Sequence, residues 1–188
     1  DGALHLVDAD KGKEEFAIIP KSMMIAQPTA LVEGSIKDSV GEPYFGIDAP
    51  WLVTTDYDFD LSEKQVKVEE VTGKKGMFAY GGLRMGGEAF YGMNITKKSE
   101  PKILFTITRA GLSSSTATKS TTSGFESLGQ IWSKPTEAKI RMTKDADPIN
   151  VLVFGGGYDI NYEDDSYVPT SSAPAKGNAI YMINAQSG

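Results

Sequence analysis

The chain has no cysteine and a single histidine. Without thiols it can form neither disulfides nor thiolate metal sites. That absence fits a cytosolic protein or a bacterial surface protein that does without bridges, and does not separate the two. With His5 alone, a His-rich metal centre is excluded and a Ser-His-Asp triad is close to untenable. Excess positive charge is missing too: 19 Lys and Arg face 25 Asp and Glu, for a net charge of -6 and a pI near 4.9. Nucleic acid is therefore excluded as a partner, because binding it needs a basic footprint. No apolar run reaches the roughly 18 residues that a membrane-spanning helix needs.

What is present is enough for one buried core and no more than two domains: 188 residues, 20.2 kDa, 40% hydrophobic. The stretch Gly76 to Thr96, GMFAYGGLRMGGEAFYGMNIT, holds two apolar runs around a glycine-rich turn. It reads as an antiparallel hairpin, since tight turns favour residues that tolerate positive φ. Arg84 falls at its tip and reads as an exposed loop arginine rather than a ligand group. The second strand of this hairpin recurs. DGALHLVDADKG opens the chain, GEAFYGMNITKK lies in the middle and GNAIYMINAQSG ends it, so that Ala3, Ala89 and Ala179 align. His5 then occupies the place of Tyr91 and Tyr181 and reads as a strand residue, and Asp8, Asn94 and Asn184 close the copies before a turn. VLVFGGGYD, Val151 to Asp159, matches the strand before the middle copy, while EEFAIIP and PKILFTI match one another as following strands.

A unit of strand, Gly-rich turn, strand, Asx turn and strand, repeated along a chain, indicates an all-β fold of the propeller kind. About two to three antiparallel blades fit, whereas whole propellers have roughly four to eight. The first copy lacks its leading strand and the last its trailing one, so residues 1–188 are expected to be one fragment of a β-propeller domain in a larger protein. In an alternative arrangement the first and last copies pair with each other to close one sheet. Long loops are expected as insertions at about 54–73, 111–124 and 160–176. Ser22 to Ala26 allows a short helical turn, Pro43 to Val53 reads as a strand bent at Asp48 to Pro50, and Trp51 is assigned to the core. Further strands are expected at Gln65 to Val71, Glu137 to Met142 and Ile149 to Phe154, and the Ser/Thr-rich 111–124 as a floppy loop.

Two acidic clusters are the candidate chemistry. Asp56, Asp58 and Asp60 place carboxylates on alternate residues of a short stretch and Glu63 follows, a set that can fold oxygens around one Ca2+. Counting from Asp56, an EF-hand would want Gly and Glu where Leu61 and Lys67 stand, and a solvated acidic turn is the plainer reading. Asp159, Asn161, Glu163 and Asp165, with Asp164 among them, form a second and weaker candidate. Gly155 to Gly157 is followed by no Lys-Ser/Thr pair, so a phosphate-cradling loop is not indicated. No catalytic constellation emerges, and a non-enzymatic protein is expected.

At this point YGGLRMGGEAFYGMNIT, FESLGQIWSKP, VLVFGGGYD and GNAIYMINAQSG resemble successive motifs of the C-terminal β-propeller of the PilC/PilY family of type IV pilus tip-associated adhesin and biogenesis proteins. The opening DGALHLVDADKGKEEFAIIP and the PYFGIDAP segment are similar to further motifs of that family, in its order. Gly92-Met93-Asn94 stands where the family usually has Ala-Leu-Asp, Phe16 replaces a Trp and Ala49 a Gly. The resemblance implies an extracellular, cell-surface or pilus-associated bacterial protein acting in adhesion and in control of pilus extension and retraction. It implies as partners pilus minor subunits or a host-surface receptor, together with other segments of the same larger protein. Family members bind calcium through an EF-hand-like acidic loop in the propeller, and some carry a similar sequence where Asp56, Asp58 and Asp60 fall. A reading from another class is a quinoprotein-like propeller dehydrogenase, which would need basic and acidic groups converging on a quinone with Ca2+. A purely structural fragment that assembles with other chain segments is a third.

Overall fold

In the computed structural model the described residues are 2–26, 28, 45–68, 76–114 and 124–188, with Asp58 and Lys67 described through their backbone alone. The fold is all-β and partial-propeller-like, built from antiparallel sheets without a closed barrel. β1 (Leu4–Val7) and β2 (Glu14–Ile18) form a ribbon, followed by the short helix α1 (Lys21–Ala26). β3 (Leu52–Asp56), β6 (Gly76–Gly82), β7 (Ala89–Asn94), β8 (Lys102–Thr108) and β9 (Gly111–Ser114) make a five-stranded sheet in that order. Between β3 and β6, β4 (Asp58–Asp60) and β5 (Gln65–Lys67) pair as a small hairpin. β10 (Thr136–Ile140), β11 (Ile149–Gly155) and β12 (Ile180–Asn184) complete a three-stranded sheet.

Alternation along these strands decides how the sheets stack, because neighbouring side chains on a strand point to opposite faces. From the five-stranded sheet, Phe78, Tyr80, Phe90, Phe105 and Ile107 enter one buried cluster with Leu152, Phe154, Tyr181 and Ile183 of the three-stranded sheet. Phe90 and Phe154 stack across that seam with ring centroids 4.1 Å apart and planes 5° from parallel. The opposite face presents Ala79, Met93 and Ile95, which pack against Leu4, Phe16 and Ile18 of the β1–β2 ribbon. The five-stranded sheet is thus the middle layer of three.

Two glycines permit that packing. A Cβ on Gly92 would run into the Phe105 ring, and one on Gly81 into the Trp51 indole. Trp51 lies flat there, partly buried, and its Nε1 donates to the Gly82 carbonyl at 3.1 Å.

The sequence expectations meet this structure unevenly. The glycine-rich hairpin is β6–β7, turning through a single 3-10 turn at Arg84–Gly86. Each aligned stretch places its strand alike: Ala3 and Ala179 immediately precede β1 and β12, and Ala89 opens β7. β1 pairs with β2 and β12 with β11, so the two end copies do not pair with each other among the described residues. Of the strand expected over Pro43 to Val53, only Leu52 and Val53 are strand among the described residues, 45–51 having no ladder pairing, and residues 43 and 44 lie outside them. Within the Ser/Thr-rich 111–124, Gly111–Ser114 forms β9 because Leu112 is buried against the core. Residues 115–123 and 69–71 of those segments lie outside the described residues.

Candidate functional site

The first acidic cluster is divided between two sheets. Asp56 ends β3, opposite Gly76, while Asp58 and Asp60 belong to the β4–β5 hairpin, opposite Lys67 and Gln65. Asp60 Oδ1 accepts from the Ser62 hydroxyl at 2.6 Å and from the N–H groups of Ser62 and Glu63 at 3.0 and 3.1 Å. The Ser62 hydroxyl foremost, then the Glu63 N–H, hold its carboxyl below the usual value. Asp56 instead borders a cleft of about 510 Å3 with Tyr57, Lys139, Asn150 and Asn184. On the far side of the seam Glu137 accepts from Asn150 Nδ2 at 3.0 Å. Burial and then the charge of Asp56 raise the Glu137 carboxyl, against Lys139 and the Asn150 amide. Burial, Glu137 and Asp56 also push the Tyr80 phenol far up. Glu137 carries no motif, and it is the packing of the three-stranded sheet on the five-stranded one that brings it to Asp56's neighbourhood.

The second cluster surrounds Asp159, which is 2% exposed. Its Oδ1 accepts from the Asn161 N–H at 3.1 Å and its Oδ2 from the Tyr167 hydroxyl at 3.0 Å and the Lys176 N–H at 2.9 Å. Burial pushes this carboxyl up, but the Lys176 and Asn161 N–H groups, the Tyr167 hydroxyl and the Lys176 charge outweigh it, and the net shift is downward. Lys176 Nζ pairs with Glu88 beside the hairpin tip and lies 4.0 Å from Asp159 Oδ1. The other members point to separate partners: Glu163 accepts from the Tyr158 hydroxyl, and Asp164 from the Ser166 N–H and hydroxyl. Asp159 is thus occupied by donors of its own chain, and Lys176 stands where a cation would. Among the described residues no group of three or more Asp, Glu or His is gathered as a metal cage. For Asp56, Asp58, Asp60 and Glu63 the fit to calcium turns on the Asp58 carboxylate, which lies outside the described side chains.

The hairpin tip is more than a loop. Arg84 takes a left-handed backbone conformation (φ 52°), which costs a residue with a Cβ and is held here by its surroundings. Its guanidinium lies over the Trp132 ring at 4.1 Å, with Nη1 3.5 Å from Asp48 Oδ2. Asp48 Oδ1 also accepts from the Met85 N–H at 3.1 Å. Trp132 meets Tyr158 edge-on at 6.0 Å between ring centres. Arg84 was legible as a tip residue, but its stack on Trp132 was not, since the two are far apart in sequence. His5 stays in β1 and pairs with Glu14 across the ribbon, as a strand residue should.

The stacked sheets have a solved counterpart. The crystal structure of the Pseudomonas aeruginosa PilY1 C-terminal domain superposes on the whole of this chain (100%) with a TM-score of 0.56 and 21% identity. The chain spans 26% of that PilY1 structure's length. At that identity the likeness establishes the fold, which agrees with the partial propeller read from strand order. No protein-family model and no curated protein sequence matches the chain. No described helix is long and apolar enough to cross a membrane.

Proposed function

We propose that this chain is a non-enzymatic module of a type IV pilus-associated bacterial surface protein, acting in adhesion and in control of pilus extension and retraction. The observation that carries the reading is the end-to-end match of its fold to the PilY1 C-terminal domain. The motifs that resemble the PilC/PilY family occur in the same order along the sequence, which supports it from a separate direction. In this reading the module works outside the cell, in contact with other segments of its own larger protein and with pilus minor subunits or a host-surface receptor. Removing the segment from the source bacterium's gene, in frame, is the test. Loss of surface pili or of retraction-driven motility is the expected outcome, and normal piliation, motility and attachment together would overturn it.

Calcium belongs to this proposal through Asp56, Asp58, Asp60 and Glu63. An ion that binds only the folded chain raises its melting temperature by mass action. Calorimetry should therefore show a Ca2+-dependent rise in Tm that is lost in Asp58→Ala. No rise in the unaltered chain would remove calcium from the proposal and leave the pilus reading standing.

A further inference from the structure

Pairing registers fix which positions of the two larger sheets correspond. In the five-stranded sheet Phe78 lies opposite Asn94 and Tyr80 opposite Gly92. In the three-stranded sheet Val151 lies opposite Asn184 and Val153 opposite Met182. Counted from the Asx that closes each copy, Val151, Val153, Ile180 and Met182 hold the places of Phe78, Tyr80, Phe90 and Gly92. On the five-stranded sheet this is the face that the three-stranded sheet covers. Leu4, at the corresponding position of β1, is covered by the five-stranded sheet in turn. Each layer thus turns the same face toward the layer that follows it.

On the three-stranded sheet that face stands partly open: Val151 is 3% exposed, but Ile180 is 81% and Met182 60%. It is also without charge. Thr136, Ala138 and Ile140 of β10 stand beside Val153, Val151 and Ile149, while alternation turns Glu137 and Lys139 to the other side. An antiparallel sheet with one wet face alternates apolar and polar residues. Val151 to Phe154, VLVF, is apolar on both sides, the pattern of a strand covered twice.

We propose that this face docks a further antiparallel sheet of the same build, contributed by the larger protein from outside residues 1–188. The proposal rests on the reading above only in taking the chain as part of a larger protein, and not on the pilus. In the PilY1 structure the matching stretch is 26% of the chain, so most of that chain lies outside the match. An uncharged aliphatic face suits an apolar sheet, because charged groups set against it would lose their water. A second copy stacked head to tail would present the outer side of the β1–β2 ribbon, where His5 pairs with Glu14, and burying that ion pair carries a desolvation cost.

The test compares the 188-residue chain with the whole protein encoded by the source gene, each purified alone. Peroxide should oxidise Met182 at least tenfold more slowly in the whole protein than in the 188-residue chain. A benzophenone side chain placed at Ile180 should crosslink, on illumination, to an apolar strand of the same polypeptide outside residues 1–188. Met182→Lys should leave the Tm of the 188-residue chain unchanged and lower that of the whole protein. Equal oxidation in the two proteins, or protection already present in the 188-residue chain, would overturn the docking surface. Crosslinks that join two copies, or that fall within residues 1–188, would overturn the further sheet as its occupant. A gene encoding nothing outside these residues would do so outright. Normal piliation after deletion, which overturns the pilus reading, leaves these measurements untouched.

Discussion

At Gly92 the backbone of β7 passes against the face of Phe105, and a single added methyl would collide with that ring. Tyr80, opposite Gly92, and Phe105 are both 1% exposed, so neither can swing outward to make room. Overpacking of such a site costs about 1–3 kcal/mol. Gly92→Ala should therefore lower stability by that amount in urea titration. Asp159 yields a second residue-scale prediction, with a sign set by its lowered carboxyl. A group whose folded-state pKa lies below its unfolded value stabilises the fold above that unfolded value. The contribution fades as pH falls from about the ordinary 3.8 through the lower folded value. Asp159→Asn should cost about 2–4 kcal/mol at pH 7, because it removes charge-assisted bonds at a buried position and leaves Lys176 with Glu88 alone. Thermal scans from pH 7 to pH 2 should show the deficit of the variant shrinking in the acid range. A deficit independent of pH would argue that shape rather than charge holds the turn.

Among the elements, the turn after each aligned strand is built the same way at its start. Asp8 Oδ1 accepts from the N–H groups of Asp10 and Lys11, Asn94 Oδ1 from Thr96, and Asn184 Oδ1 from Gln186 and Ser187. In the second and third stretches the residue after the Asx also closes onto the preceding strand, Ile95 N–H to Met77 O and Ala185 N–H to Asn150 O, both at 2.9 Å. Asn184→Ala leaves two turn N–H groups without their acceptor and should cost about 1–2 kcal/mol. Asn184→Asp keeps the acceptor and should recover most of it. Chemical denaturation of the two variants side by side checks this. Such turns were legible in the sequence because an Asx side chain bonding two residues ahead is a local event. So was the β6–β7 hairpin, whose glycines and apolar runs lie within one short stretch. Elements that depend on remote partners were not legible. β9 follows a polar, Ser/Thr-rich pattern and becomes a strand only because β8 offers an edge and Leu112 a place in the core. The Asp159 environment was visible as acidic residues, but its organising partners, Lys176 and Glu88, come from a distant loop and from the hairpin tip.

For the whole molecule, the question is how firmly its layers are joined. The five-stranded and three-stranded sheets share one apolar cluster, and the Phe90–Phe154 stack sits at their seam. Phe154 also meets Tyr181 of β12 at 5.6 Å, so one ring ties the outer sheet together and to its neighbour. The outer face of that sheet is open by contrast: Ile180 is 81% and Met182 60% exposed. Val151 on that face is nonetheless 3% exposed, so the three-stranded sheet takes most rather than all of its burial from the seam. Phe154→Ala should cost about 3–5 kcal/mol, the range for a buried aromatic whose cavity cannot collapse. The loss should fall unevenly. Hydrogen exchange should rise first and most at Val153 and Ile183, on strands held chiefly by the seam, while Met93 and Phe105 keep the β1–β2 ribbon or their own neighbours as cover. Phe90→Ala removes the same stack from the other sheet. The double variant should then be less destabilised than the two single losses added, by about 0.5–1.5 kcal/mol, the usual worth of an aromatic pair. Strict additivity would mean that the sheets adhere by area alone. A uniform rise in exchange across all three layers would mean that they unfold as one unit even though the seam supplies most of the outermost sheet's burial.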